Sequence, residues 1–270
     1  MLEIRRVQKS YAGGGGERVT ALQDFDLQCE RGSFVVIVGA NGSGKSTLLN
    51  VLSGSESVDG GSIALGGVDI TRLPEHRRAA IIGRVFQDPF QGTIAEMSVR
   101  DNLALAACRG RGFTLRWALS QELREEMRER LAALGIGLED RIDQPVSSLS
   151  GGQRQILTML MATWHKPRLL LLDEHTAALD PRSADLVMNL TGRIIADRSL
   201  TVLMVTHSMH HAVHFGQRLL MMHRGRVVLD IRDGEKRRAQ PSELVARFEE
   251  LRRMDHIDES VAALLREQYL

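Results

Sequence analysis

The 270-residue chain is long enough for one large domain or two small ones, and it can bury a core without staples. With 43% hydrophobic and 26% charged residues it has an ordinary globular make-up, which excludes disorder and low-complexity fibres. Lys plus Arg (35) nearly balance Asp plus Glu (34), for a net charge of +1, so no global field recruits nucleic acid or an anionic membrane.

The amino terminus, Met1 to Arg6, lacks the basic stretch and apolar core of a secretory signal. Leu2 and Ile4, then Phe25, Leu27 and Cys29, alternate with polar neighbours as half-buried strands do. Between these lies the run Gly13 to Gly16, read as a turn. Ser62 to Leu65 and Val68 to Ile70 flank Gly66-Gly67, a hairpin signal, so this part of the chain is expected to form an antiparallel layer. Three runs, Phe34 to Val38, Leu169 to Leu172 and Thr201 to Val205, are apolar without alternation, which suits parallel strands covered on both faces. All fall far short of the roughly 18 apolar residues of a membrane span.

The middle of the chain carries a helical stripe, Leu115, Leu119, Leu123, Met127, Leu131 and Leu134, with Arg and Glu on the opposite, solvated face. Beyond Asp233 helical spacing resumes at Leu244, Val245, Phe248 and Leu251, which marks residues 233–270 as a helical tail. Cys29 and Cys108 stand far apart with no C-x-x-C spacing, which fits a reducing compartment and neither a disulfide framework nor a zinc knuckle.

Residues 39 to 47, Gly-Ala-Asn-Gly-Ser-Gly-Lys-Ser-Thr, match G-x-x-x-x-G-K-S/T between the Phe34–Val38 run and the apolar helix start Leu48-Leu49. Gly39, Ala40, Asn41, Gly42, Ser43 and Gly44 can curl so that their amides point inward, and the following helix adds its positive end. Lys45 then reaches the β- and γ-phosphates of a nucleotide, Ser46 offers its hydroxyl to Mg²⁺, and Thr47 closes the motif.

Ligands of open α/β sheets bind beyond the carboxyl ends of the strands. There the chain places Asp173 and Glu174 after one run, a pair in which one carboxylate can hold Mg²⁺ and the other can orient or deprotonate the attacking water. His207 follows another run and can hydrogen-bond a γ-phosphate; Gln87 follows the expected strand Ile81 to Phe86 and can touch Mg²⁺ or the water. Beside a phosphate loop, these groups point to a nucleoside triphosphatase.

Residues 149 to 153, Leu-Ser-Gly-Gly-Gln, open an apolar helix through Ile156, Leu157, Leu160 and Met161, with Ser150 as its N-cap. Two glycines in a first turn cost helix stability, which implies that something approaches this terminus closely. Its bare amides also make it a second anion site.

In this order the G-A-N-G-S-G-K-S-T loop, Gln87, L-S-G-G-Q, L-L-L-L-D-E, A-L-D at 178 to 180 and His207 resemble the ATP-binding cassette (ABC) ATPases, over residues 1 to 230. The resemblance implies an α/β fold: a RecA-like P-loop core with an antiparallel β subdomain and an inserted α-helical subdomain. Its ABC ATPase domain would span 1–232, with 1–87 and 164–232 forming the core and 88–163 the helical insert. It also implies a head-to-tail dimer in which the loop of one copy and Ser150, Gly151, Gly152 and Gln153 of the other enclose each ATP. By motif, Asp173 becomes the Mg²⁺ carboxylate, Glu174 the catalytic base, and His207 the switch histidine. Tyr11 falls where the family stacks an aromatic on adenine. One departure is visible: Asp-Glu-His-Thr-Ala-Ala-Leu-Asp-Pro (173 to 181) has His175 and Ala177 where Pro and Ser are usual, and resembles a subgroup of bacterial importers.

His207 with His211, and His210 with His214, stand at helical i,i+4 spacing that can suit a metal, yet no H-E-x-x-H glutamate lies between them. They are read as polar helix positions. The resemblance leads to an ATP- and Mg²⁺-dependent subunit of a bacterial importer on the cytoplasmic face of the inner membrane, working with a second copy of itself, an integral membrane permease and a substrate-binding protein, and with no nucleic acid. The permease would dock around Gln87 to Met97. An exporter or lipid-extraction ATPase is the nearest alternative, and a non-transport ABC ATPase is a more distant one.

Overall fold

In a computed structural model that describes residues 1–13, 17–110, 120–238, 242 and 246, the uniformly apolar runs are covered on both faces. Strand β3 (Phe34–Gly39) turns Val35 and Ile37 into one core and Phe34, Val36 and Val38 into another. The same split divides Leu169 and Leu171 from Leu170 and Leu172 on β7 (Leu169–Asp173), and Leu203 and Val205 from Val202 and Met204 on β8 (Val202–Val205). A strand buried on both sides has no polar face to show in its sequence, hence the missing alternation. Each such side chain contributes roughly 1.5–3 kcal/mol by leaving water.

These strands belong to a six-stranded sheet in the order β10-β9-β3-β8-β7-β6, with β6 (Ile82–Val85), β9 (Arg218–His223) and β10 (Arg226–Arg232) completing it. All its pairings are parallel except the β9–β10 hairpin. A second sheet, β2-β1-β4-β5, is antiparallel: β1 (Leu2–Ala12), β2 (Arg18–Cys29), β4 (Gly60–Leu65) and β5 (Val68–Asp69). The alternating residues Leu2, Ile4, Phe25, Leu27 and Cys29 face the parallel sheet, and helix α1 (Lys45–Ser53) contributes Leu48, Leu49, Val51 and Leu52 to the same core. Of the glycine run, residues 14–16 lie outside the described residues.

After the short helix α2 (Glu75–Arg78) and β6, the chain enters a region with its own core. Helices α3 (Val99–Ala107), α4 (Gln121–Ala132) and α5 (Gly151–Thr163) meet there, and α6 (Pro181–Arg198) adds Val187 and Leu190. The expected stripe is buried at Leu123, Met127, Leu131 and Leu134, whereas Leu115 and Leu119 lie outside the described residues. Ser98, Ser120, Ser150 and Asp180 each cap a helix by accepting a backbone N–H.

Helix α7 (Met209–His214) follows β8, and α8 (Asp233–Arg238) follows β10. Lys236 is buried and donates to the carbonyls of Val213 (3.2 Å), Gly216 (2.8 Å) and Phe215, closing off the end of α7. Burial pushes its ammonium down to about 8. The first turn of the tail is therefore packed on the core; Leu244, Val245, Phe248 and Leu251 lie outside the described residues. Among the described residues no helix is long and apolar enough to cross a membrane.

Candidate active site

Strand β3 ends at Gly39 and α1 begins at Lys45, so residues 40–44 form a tight loop. A Cβ at Gly39 would lie 2.4 Å from the Met222 carbonyl oxygen, and one at Gly44 would lie 2.3 Å from that of Ala21. Gly42 has open space but φ +78°, and Gly44 combines its close approach with φ +99°. Packing thus demands the first glycine, backbone conformation the second, and both the third.

The loop presents a cluster of donors. Gly44 caps α1 without a side-chain hydrogen bond, which leaves the first amides of the helix free. Lys45, 5% exposed, donates to the carbonyls of Gly39 and Ala40, both at 2.9 Å. Burial lowers its pKa, against the opposing pull of Glu174 and Asp173. The Ser43 hydroxyl is buried with no partner, a polar atom left for a ligand. Ser46 is exposed at the start of α1 and Asn41 at the rim. Tyr11 stands beside the loop: its hydroxyl donates to Glu56 (2.6 Å) and lies 3.4 Å from the Thr47 hydroxyl, and burial followed by the Glu56 contact raises its pKa.

The order β3-β8-β7-β6 sets the carboxyl ends of these strands side by side. Asp173 pairs with Val205 across β7 and β8, and the Glu174 amide donates to the Val205 carbonyl at 3.0 Å. Glu174 sits at φ +45°, a left-handed backbone that a non-glycine residue holds only where its surroundings impose it. Its Oε1 meets His207 Nε2 at 2.5 Å. Gln87 is exposed just past β6, in the same row of strand ends. The sequence-predicted groups Lys45, Asp173, Glu174 and His207 are therefore brought together.

Ser150 to Gln153 have other neighbours. Ser150 and Gln153 form a reciprocal capping box. A Cβ on Gly151 would lie 3.1 Å from Leu179, and one on Gly152 3.2 Å from Ser183. The close approach expected from the two glycines is thus made by the chain's own Ala-Leu-Asp turn and α6. Gln155, one turn on, donates to the Phe86 carbonyl at 3.1 Å and ties this helix to the Gln87 segment.

His175, the departure from the usual proline, is buried and lies 3.3 Å from the Thr191 hydroxyl on α6. Burial, then His211 nearby, pushes its pKa down to about 4. Between that value and the ordinary histidine value of 6.5 the unfolded chain binds a proton that the folded chain does not, so stability falls as pH drops through this window. The full loss is about 3 kcal/mol. Denaturant titrations from pH 7 to 4 are expected to show this slope in the wild type and a shallower one in His175→Gln.

The histidine spacing is corrected by the structure. His207 lies in a bend before α7, whose N-cap is Ser208, so it shares no helix face with His211. His210 and His214 stack at 4.1 Å, and His214 Nδ1 contacts the His210 carbonyl at 2.8 Å. Helical spacing alone had no way to mark where the helix begins.

Several site-supporting residues carried no motif. Gly225, at the β9–β10 turn with φ +75°, donates its amide to the Ser43 carbonyl at 3.0 Å and accepts from the Gln23 amide at 3.1 Å, bracing the loop against β2. Arg84, Asn50 and Glu56 line the approach from Asp173 to Tyr11. An Arg-Gly turn between apolar runs could have flagged Gly225.

The family model described as ABC transporter matches residues 22–177. The chain belongs to the ABC transporter family. Over 249 residues this ABC protein is 43% identical to a tyrosine transport ATP-binding protein of Clostridioides difficile (strain R20291), covering 92% of this chain and 99% of that one. It is 33% identical to a lipoprotein-releasing system ATP-binding protein of Caulobacter vibrioides, covering 86% and 97%. Among solved structures, an ATP-binding cassette captured as a dimer in a post-hydrolysis state with ADP and phosphate aligns at a TM-score of 0.72 and 28% identity, over 86% of this chain and 98% of that one. The protein is an ATP-hydrolysing ABC cassette with the RecA-like α/β fold, and it is the ATP-binding subunit of an ABC transporter.

Proposed function

We propose that this subunit drives import of amino acids or similar small solutes through a separate permease. The observation that carries this reading is the 43% identity, along nearly the whole of both chains, to a tyrosine transport ATP-binding protein. The D-E-H-T-A-A-L-D segment, which resembles one importer subgroup, points the same way. The protein would sit on the cytoplasmic face of the membrane as a head-to-tail pair, with a substrate-binding protein delivering the solute.

In this reading the loop residues 39–47 cradle the phosphates, with Lys45 supplying a partly desolvated ammonium and α1 its free amides. Tyr11 offers its ring, 36% exposed, to the base. Ser46, Asp173 and Gln87 present hydroxyl, carboxylate and amide oxygens, the hard donors that Mg²⁺ takes, and the ion when bound would neutralise charge on the phosphates. Glu174 accepts the proton of the attacking water, and His207, 2.5 Å from that carboxylate, is the switch histidine that hydrogen-bonds the γ-phosphate. Ser150 to Gln153, whose contacts within the chain leave Ser150 and Gly151 exposed, cover the nucleotide of the partner copy.

The permease would meet the surface after Gln87, where Phe90 and Ile94 are about half exposed and Arg154 stacks on the Phe90 ring at 3.8 Å. Reconstituting the chain in proteoliposomes with an amino-acid permease is expected to raise ATP turnover and to support uptake of labelled amino acid. Stimulation confined to a lipoprotein-releasing membrane partner would replace import by extraction.

A further inference from the structure

Arg84, the third residue of the four-residue β6, carries its guanidinium between two ends of the site. Its Nη2 lies 3.2 Å from Asp173 Oδ2 and 2.9 Å from Asn50 Oδ1, and its Nη1 donates to the Ser53 hydroxyl at 3.1 Å. Both ion-pair partners are mostly buried, with side chains 14% and 15% exposed, so the fork is held in one direction. Asn50 reaches onward to Glu56 Oε1 at 3.4 Å, and Glu56 Oε2 accepts from the Tyr11 hydroxyl at 2.6 Å. The guanidinium also lies 4.6 Å from the ring of Phe86, the residue before Gln87.

We propose that Arg84 is a positioning residue of the nucleotide site: it holds the Asp173 carboxylate and, through Asn50 and Glu56, ties it to Tyr11, so that the metal side and the base side are set as one hydrogen-bonded unit. This rests on the reading of Asp173 as a Mg²⁺ ligand and Tyr11 as the base platform. A fixed carboxylate loses less freedom when it engages a cation, and a fixed ring less when it receives a base. Residues in one network show non-additive effects, whereas separated sites without shared partners add. Tyr11 and Arg84 share no direct contact here, and the side-chain link between them runs through Asn50 and Glu56.

The test is a double-mutant cycle on the full chain, with Arg84→Met and Tyr11→Phe, read as the equilibrium affinity for a fluorescent ATP analogue in Mg²⁺ and in EDTA. Tyr11→Phe keeps the ring and removes only the hydroxyl, with its contacts to Glu56 and Thr47. In Mg²⁺ the two changes are expected to depart from multiplicative behaviour by about threefold or more. In EDTA the coupling is expected to shrink, because without the ion only the base side of the network bears on the nucleotide. Multiplicative effects in Mg²⁺, or coupling of equal size in EDTA, would overturn the proposal and leave Arg84 a structural ion pair. A wild type that binds equally with and without Mg²⁺ would instead remove the metal assignment beneath it. Should Arg84→Met fail to fold, Arg84→Lys, which keeps the charge but loses the fork, enters the same cycle.

Discussion

Replacing Glu174 by glutamine is expected to lower ATP turnover by roughly 10²–10⁴-fold, the contribution of a positioned general base, while ATP binding persists. The substitution isolates the chemistry. Glutamine keeps the side chain's length, so the left-handed backbone at φ +45° and the hydrogen bond from the residue 174 amide to the Val205 carbonyl are not disturbed. What is lost is the ability to accept a proton beside His207, 2.5 Å away. Steady-state phosphate release gives the turnover and a fluorescent ATP analogue gives the affinity. Because bound ATP is then no longer consumed, size-exclusion chromatography in Mg-ATP should show accumulated dimer. Turnover within tenfold of the wild type would remove Glu174 from the role of base.

Lys45→Met is expected to act one step earlier, on binding itself. A hydrogen bond from a charged donor is worth about 1.5–3 kcal/mol, which corresponds to roughly 10–100-fold in affinity. The ammonium is nearly enclosed and is already aimed along the loop by the carbonyls of Gly39 and Ala40. Methionine fills the same space without donors. The informative measurement is the rise in melting temperature on adding ATP, which should shrink towards zero in the variant whatever the melting temperature of the free protein. A variant that keeps the full ligand-induced rise would show that the phosphates are held by the loop amides alone.

The two variants also separate what was legible in the sequence from what was not. Lys45 belongs to a motif closed within nine residues, Gly39 to Thr47, and its geometry is local: a strand end, three glycines and a helix start. Glu174 was legible as a carboxylate at a strand end. Its unusual backbone was not: it occurs where the chain leaves β7 with its amide bonded to Val205 of β8, a neighbour that only folding supplies. The parallel strands were recognisable because burial on both faces removes alternation, and the antiparallel strands because one polar face keeps it. The signature glycines announced a close neighbour, yet Leu179 and Ser183 could be named only once α5 and α6 were packed together. His207 and His211 show the opposite failure. Their spacing was helical, but the Ser208 cap starts α7 after His207 and turns that histidine towards Glu174.

Local order along the chain was enough to reveal the phosphate loop, each polar group that follows a strand, and the signature helix with its cap, since each is encoded by its immediate neighbours. It took packing to show that Gly225 braces the loop, that the strand ends stand in one row, that Arg84 bridges Asp173 to Asn50, and that Tyr11 is held by Glu56. These contacts join residues of common type that stand apart in the chain. Their meaning comes from where folding places them, and no local pattern of spacing or hydrophobicity carries it.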